Sequence, residues 1–300
     1  MKVEVALEWF LNPDHLPLIV GIREGWFAAE GIDLSLKVPD DHYDGMASVA
    51  SGEVAFAVNE PLHMLDEARP GLRACGCFFE TDGGVIIHRD AAETLFAGDP
   101  IRIASPVAGG KTDDICRLIL KRWSEKRGYV VEDAQIAIEE AGFQHLENLR
   151  EGYDGAWLCF DNFEGVQMRR MGLNALFLKT EDADLPNFSA LELFTSEAFL
   201  RENPRVVEAV QAVLTRAVEK LQDEPFEYAQ DHWYAFSGEE RDGLSDAIVV
   251  DTVARFVKPV RSDRERWWPL FLGFKYLGLS AIDQDAYDAL FQPAEADAIA

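Results

Sequence analysis

The chain predicts an α/β fold of two lobes with a helical C-terminal third, and three observations lead there. The first is an alternation of β-type runs and helical patterns through the first sixty residues. The second is a restart of the same alternation at Ile101. The third is the pattern from Arg205 onward, which is almost wholly helical.

The opening series reads β-α-β-α-β. Val3 to Leu7 is a strand, Leu16 to Ala29 a helical pattern, Ile32 to Val38 a strand, Tyr43 to Ser51 a helix and Val54 to Val58 a strand. Such a series favours a parallel sheet, whose strands end at their carboxyl side on the ligand crevice. Each of the three runs stops in polar and aromatic residues: Trp9-Phe10-Leu11-Asn12-Pro13-Asp14-His15, Asp40-Asp41-His42-Tyr43, and Asn59-Glu60-Pro61-Leu62-His63. Strands are also expected at Leu72 to Phe79 and Val85 to His88, with a helix and loop from Asp90 to Asp99.

The second series has strands at Ile101 to Ala104, Gln135 to Ile138, Tyr153 to Phe160 and Ala175 to Leu178. Helices lie between them at Ile115 to Arg127, His145 to Glu151 and Glu164 to Met171. Leu191 to Thr195 is a returning strand; Ser196 then caps a helix whose main body follows Asn203-Pro204. Helical patterns continue at Asp251 to Phe256, Trp267 to Leu277 and Asp283 to Phe291. The expected division is residues 1–88 for the opening segment of the first lobe, 89–188 for the second lobe, and 189–300 for the return to the first lobe and the C-terminal helices. Crossings near 88 and 190 would enclose a cleft.

Composition narrows the function classes. With 28 basic and 54 acidic residues the formal charge is −26, a surface that repels nucleic acid and anionic membranes. No run of about 18 apolar residues exists, so membrane insertion is not expected. Met1-Lys2 leads at once into a strand pattern with no signal peptide, which reads as cytoplasmic, or as periplasmic or extracellular if a leader has been removed. Cys75, Cys77, Cys116 and Cys159 lack zinc-site spacing and read as buried thiols.

The run Leu7-Glu8-Trp9-Phe10-Leu11-Asn12-Pro13-Asp14-His15-Leu16-Pro17-Leu18 resembles the opening strand and loop of one branch of the type II periplasmic-binding-protein superfamily. That branch holds bacterial binding proteins for thiamine-pyrimidine precursors and the fungal-type hydroxymethylpyrimidine phosphate synthases. Gly25-Trp26-Phe27-Ala28-Ala29-Glu30-Gly31-Ile32-Asp33-Leu34 and Ser51-Gly52-Glu53-Val54-Ala55-Phe56 match its patterns, and the last third from Phe199 to Pro269 looks similar. The resemblance implies a two-lobed fold of that type. Two departures bear on chemistry. Where the synthase carries a Lys for pyridoxal phosphate, four residues before a reacting His, this chain has Asn59 and His63. The Cys-rich run of the synthase is replaced by Asp184-Leu185-Pro186-Asn187-Phe188-Ser189-Ala190-Leu191.

Candidate site residues follow from both readings. Trp9 can stack on a flat heterocycle while Asn12 and His15 offer oriented polar groups; otherwise Trp9 and Phe10 are core and Asp14 caps the next helix. Asp41, His42 and Tyr43 can hold an exocyclic amine and a ring, or Asp40 or Asp41 only caps a helix. Asn59, Glu60 and His63 make the third cluster. His15, His42 and His63 stand beside carboxylates, but no His-x-x-x-His pair exists, so neither metal nor cofactor is expected. Gly109-Gly110-Lys111 precedes a helix and can cradle an anion; otherwise it is a loop with Thr112 as cap. Trp157, Asp161, Asn162 and Glu164 end a second-lobe strand, where the resemblance implies an acid holding the pyrimidine amine. Trp267-Trp268 reads as core.

Three functions stay open at this point. The first is a solute-binding protein for a small planar heterocycle, a thiamine pyrimidine precursor or relative, held between closing lobes and served by an ABC permease if exported. The second is a cytoplasmic enzyme on the same scaffold acting on a pyrimidine- or pyridoxal-type substrate through His63, Glu60 or Asp41. The third is a cytoplasmic ligand sensor.

Overall fold

The computed structural model describes residues 1–39 and 43–292, the side chain of Lys111 excepted. The chain divides into two compact units, residues 1–80 with 188–300, and residues 81–187. Each is built on its own five-stranded sheet.

In the first unit, β1 (Lys2–Ala6), β2 (Asp33–Lys37), β3 (Phe56–Asn59), β4 (Leu72–Glu80) and β10 (Ala190–Ser196) stand in the order β2-β1-β3-β10-β4. β1 is parallel to β2 and β3, and β10 is antiparallel to β3 and β4. The period-2 pattern of β1 shows directly, with Val3 and Val5 buried between exposed Lys2 and Glu4. The helical pattern Leu16 to Ala29 is broken into Leu16–Arg23 and Trp26–Ala29 by Gly25, which takes φ +70°. That left-handed turn lets Phe27 fold back into the core.

The long helix Pro204–Asp223 carries Pro204 in its first turn and buries Val207, Val210, Leu214, Ala217 and Leu221, a stripe at helical spacing. These residues share one core with Leu16, Ile19 and Val20. The rest of the C-terminal third covers the outer edge of β4, whose amides would otherwise face outward. Ala74 N–H donates to the Leu290 carbonyl at 2.8 Å and Glu80 N–H to the Arg255 carbonyl at 3.2 Å. Val257 N–H donates to the Phe78 carbonyl at 2.9 Å. The covered edge explains why β4 is buried along nearly its whole length.

The second unit orders β5 (Gly83–His88), β6 (Ile101–Ser105), β7 (Ile136–Glu140), β8 (Gly155–Phe160) and β9 (Ala175–Lys179) as β7-β6-β8-β5-β9. β6 is parallel to β7 and β8, while β5 runs antiparallel between β8 and β9. This corrects the expected first crossing at residue 88. The division falls at Glu80/Thr81 because β5 pairs with β8 and β9. The return lies at Asn187/Phe188, close to the expected residue 188.

A second correction concerns the helix read at Asp251 to Phe256. The helix is Gly243–Val253, capped by Asp242, and Phe256 instead pairs with Phe79. Among the described residues no helix is long and apolar enough to cross a membrane.

Candidate functional site

The carboxyl ends of β1, β2 and β3 lie side by side, because β1 pairs in parallel with both neighbours. The polar clusters past those ends therefore share one edge of the first sheet.

Past β1 the chain turns through Pro13–His15, a short 3-10 turn. Its cap is Asn12; the helix that follows, Leu16–Arg23, has His15 at its cap position, where the alternative reading expected Asp14. The Asn12 side-chain oxygen accepts from the Asp14 amide at 2.8 Å, and His15 Nδ1 lies 3.2 Å from the Asn12 carbonyl oxygen, to which the protonated ring donates. His15 is completely buried, and its Nε2 lies 3.2 and 3.1 Å from the two oxygens of Glu8. Burial opposes a charge on this imidazole. Glu8, Asp14 and the Asn12 backbone outweigh it and hold His15 above its ordinary range. Asn12 and His15 thus form a rigid buried brace that fixes Glu8, whose side chain is 11% exposed. Trp9 is partly exposed beside Phe10, edge to face at 5.1 Å. Neither ring is buried in the core.

Past β3, Asn59 turns its side-chain oxygen onto the Glu60 amide at 2.8 Å. The His63 ring lies between two acids, with Nδ1 3.0 Å from Asp66 and Nε2 3.6 Å from Glu60. Burial pushes the Glu60 carboxyl up to about 7; His63 pulls it back, while Glu8 and Asp66 add to the rise. For His63, burial works downward and Arg69 with it, but the Asp66 hydrogen bond and Glu60 carry it above its ordinary value. Glu8 and Glu60 are near enough to repel each other, so the two clusters adjoin.

Past β2, Asp41 and His42 lie outside the described residues, as does Asp40. Tyr43 is held by Lys37, whose Nζ donates to the phenol oxygen at 2.9 Å and sits 4.2 Å from the ring centre. The cap of the following helix, Gly45–Ser51, is Asp44, which accepts from Ala47 N–H at 2.9 Å and pairs with Arg69 at 2.8 Å.

In the second unit, the helix Lys111–Glu125 starts at Gly110, which stands at the cap position in place of Thr112. The Gly109 amide donates to Asp113 Oδ2 at 2.8 Å. Trp157 is fully buried within β8. Asp161, 7% exposed, opens a π-helical turn, Asp161–Gly165, and its carboxylate pairs with Arg169 and, at 3.6 Å, with Lys179. Lys179 also pairs with Asp82 at 2.6 Å. Asn162 and Glu164 are buried beside it, Glu164 accepting from the Phe160 amide at 2.8 Å.

The structure brings Trp9, Asn12, His15, Asn59, Glu60 and His63 to one edge and adds two carboxylates that motif reading passed over. Glu8 stands seven residues before His15 and Asp66 three after His63. The helical spacing of Asp66 from His63 was a readable signal. Glu8 had none, because its contact is made by the turn. Chemically the edge offers carboxylate acceptors at Glu8 and Glu60 and, at Trp9 and Phe10, aromatic rings outside the core.

A model of the family described as "NMT1/THI5 like" matches residues 12–79 and 107–228. The chain belongs to the NMT1/THI5-like family. Among relatives, it is 22% identical to a formylaminopyrimidine-binding protein of Halalkalibacterium halodurans, over 75% of this chain and 68% of that one. It is 34% identical to a 4-amino-5-hydroxymethyl-2-methylpyrimidine phosphate synthase of Uromyces fabae, over only 21% of this chain and 19% of that one. Among solved structures, the ligand-binding component of an ABC-type import system from Staphylococcus aureus, with zinc bound, superposes with TM-score 0.71 at 12% identity, over 98% of this chain and 97% of that one. The aliphatic sulphonate binding protein of Escherichia coli gives 0.69 at 10% identity, over 98% of both chains. This NMT1/THI5-like chain therefore has the type II periplasmic-binding-protein fold, as its motifs and strand orders imply.

Proposed function

We propose that this chain is a solute-binding protein for a small planar heterocycle carrying amino groups, of the thiamine-pyrimidine class. The observation that carries the reading is the edge past β1 and β3, where Glu8 and Glu60 supply acceptors and Trp9, which follows Glu8 in the chain, is partly exposed. An aminopyrimidine offers the complement, namely ring faces for stacking and N–H groups for carboxylates. The relative named for binding formylaminopyrimidine supports the same class. Asn59, in place of the Lys that would anchor pyridoxal phosphate, speaks against the synthase reaction. In this role the partner is an ABC permease and the place of work lies outside the cytoplasmic membrane. The cytoplasmic location belongs with the enzyme reading.

Isothermal titration of the purified protein with formylaminopyrimidine and with 4-amino-5-hydroxymethyl-2-methylpyrimidine tests this. The expected result is saturable binding without turnover, weakened when Glu60→Gln removes one acceptor. Absence of binding heat from a folded sample, or conversion of pyridoxal phosphate to a pyrimidine, overturns it.

A further inference from the structure

The segments past β2 and past β3 leave the first sheet on either side of β1, so strand pairing does not hold one against the other. A side chain does so. Arg69, in the loop after the short helix His63–Asp66, reaches the cap of the helix Gly45–Ser51. Its Nη1 donates to Asp44 Oδ1 at 2.9 Å, and its Nη2 lies 2.8 Å from Oδ2. Two parallel contacts of this kind form a fork that leaves no swivel. Nη2 also comes within 3.4 Å of Glu67, which is 70% exposed and adds little.

Both ends of the fork are anchored. Asp44 accepts from the Ala47 amide at 2.9 Å, so moving the carboxylate moves the first turn of the helix. That helix starts at Gly45, where a Cβ would lie 3.2 Å from Ala57 of β3, 3.4 Å from Ala6 of β1 and 3.8 Å from the Tyr43 ring. Its first residue thus rests directly on the sheet. At the other end, Arg69 stands close to His63: burial and Arg69 press that ring toward its neutral form, against Asp66 and Glu60.

Stability alone does not account for the arrangement. Asp44 is half-exposed, and ion pairs at that exposure contribute little. The Arg69 side chain is mostly buried, and its Nε is left without a hydrogen-bond partner, which is a cost. What a bidentate pair adds is a fixed angle between the groups it joins.

From the fork and the place of its two ends we propose that Arg69 is a positioning residue of the ligand edge, locking the start of the helix past β2 to the segment past β3 so that Tyr43 and His63 stand in one fixed relation. This rests on the heterocycle-binding reading above and deepens it. Arg69 touches no ligand in this role and acts through Asp44.

Two measurements on the intact protein test the proposal. In the first, 4-amino-5-hydroxymethyl-2-methylpyrimidine is titrated calorimetrically into wild type, Arg69→Lys, Asp44→Asn and the double variant. Lys keeps the charge but cannot fork, while Asn keeps an acceptor for the Ala47 amide and loses the charge. Each single variant should bind about tenfold more weakly, with a melting temperature within a few degrees of wild type, and the double variant should bind no more weakly than the singles. Losses that add in the double variant, or unchanged affinity in folded Arg69→Lys, overturn the proposal. The second measurement needs no ligand. Amide hydrogen exchange at residues 45–48 and 63–66 should quicken together in either single variant, while β1 and β3 stay protected. Exchange that is unchanged, or that quickens on one side of the fork alone, also overturns it. If the pyrimidine fails to bind wild type while both segments quicken together, the heterocycle reading fails and the clamp made by Arg69 stands.

Discussion

In the proposed binding role, ring recognition is assigned to Trp9. It stands just past β1, partly exposed, with the edge of Phe10 against it. Replacing Trp9 with Ala should weaken binding of the pyrimidine by at least about tenfold, or roughly 1.4 kcal/mol, in a calorimetric titration of folded protein. Unchanged affinity removes Trp9 from the site. At Asn59 there is no nucleophilic amine, and its side-chain oxygen is engaged with the Glu60 amide. Borohydride reduction in the presence of pyridoxal phosphate, followed by mass mapping, should leave the segment around residue 59 unlabelled; a reduced adduct on a lysine would revive the enzyme reading. A third residue acts on stability. Glu192 is 1% exposed in β10, bonded through Oε2 to Trp267 Nε1 at 2.9 Å, and burial pushes its carboxyl up to about 8 from 4.5. The folded chain therefore keeps a proton that the unfolded chain gives up above pH 4.5, so stability falls from there to pH 8 and then levels. Glu192→Gln should melt higher than wild type at pH 8 by a margin that disappears near pH 4.5, because Gln stays neutral while still accepting from Trp267. Equal melting curves at both pH values would mean that Glu192 is already ionised in the fold.

At the level of elements, the strands were legible because β-type runs stand out between turn residues, and all ten appear within a few residues of where the pattern puts them. The exceptions are instructive. Gly25 splits the first helical pattern, which periodicity passes over because the apolar spacing resumes in register after the turn. The helix expected at Asp251 to Phe256 ends at Val253, since Phe256 is drawn onto the edge of β4. Apolar spacing records that a residue is buried, not which partner buries it. Gly84 in β5 shows a constraint of the same kind: a Cβ there would lie 1.9 Å from the Leu178 carbonyl oxygen of β9. Gly84→Ala should force β5 and β9 apart and lower the melting temperature by several degrees, for a cost of about 1–3 kcal/mol typical of overpacking. A melting curve matching wild type would show that the strands separate without penalty.

For the whole molecule, the charge of −26 dominates behaviour in solution. Like charges spread over the surface repel in the compact state more than in the open chain, and salt screens them within about 8 Å at physiological ionic strength. Raising sodium chloride from low to physiological concentration should therefore raise the melting temperature. A flat or falling curve would show that the paired networks, such as Asp44–Arg69 and Asp161–Arg169, outweigh the general repulsion.

The sequence alone determined the alternation of elements, the α/β class, the helical last third and the place of the polar clusters past the strand ends. Each of these is written in local periodicity or in motifs that need no partner to be recognised. It also determined that position 59 carries no amine, since Asn59 is a matter of identity. Only the tertiary structure decided that β5 belongs to the second sheet, that His15 braces Glu8, that Glu60 lies near Glu8, and that Asp113 caps the Gly109 amide at the helix end where an anion was expected. These are contacts between residues whose meeting depends on strand order and turn geometry. A carboxylate looks the same in sequence whether it is a solvated charge, a cap or a ligand acceptor, and its surroundings decide which of these it is.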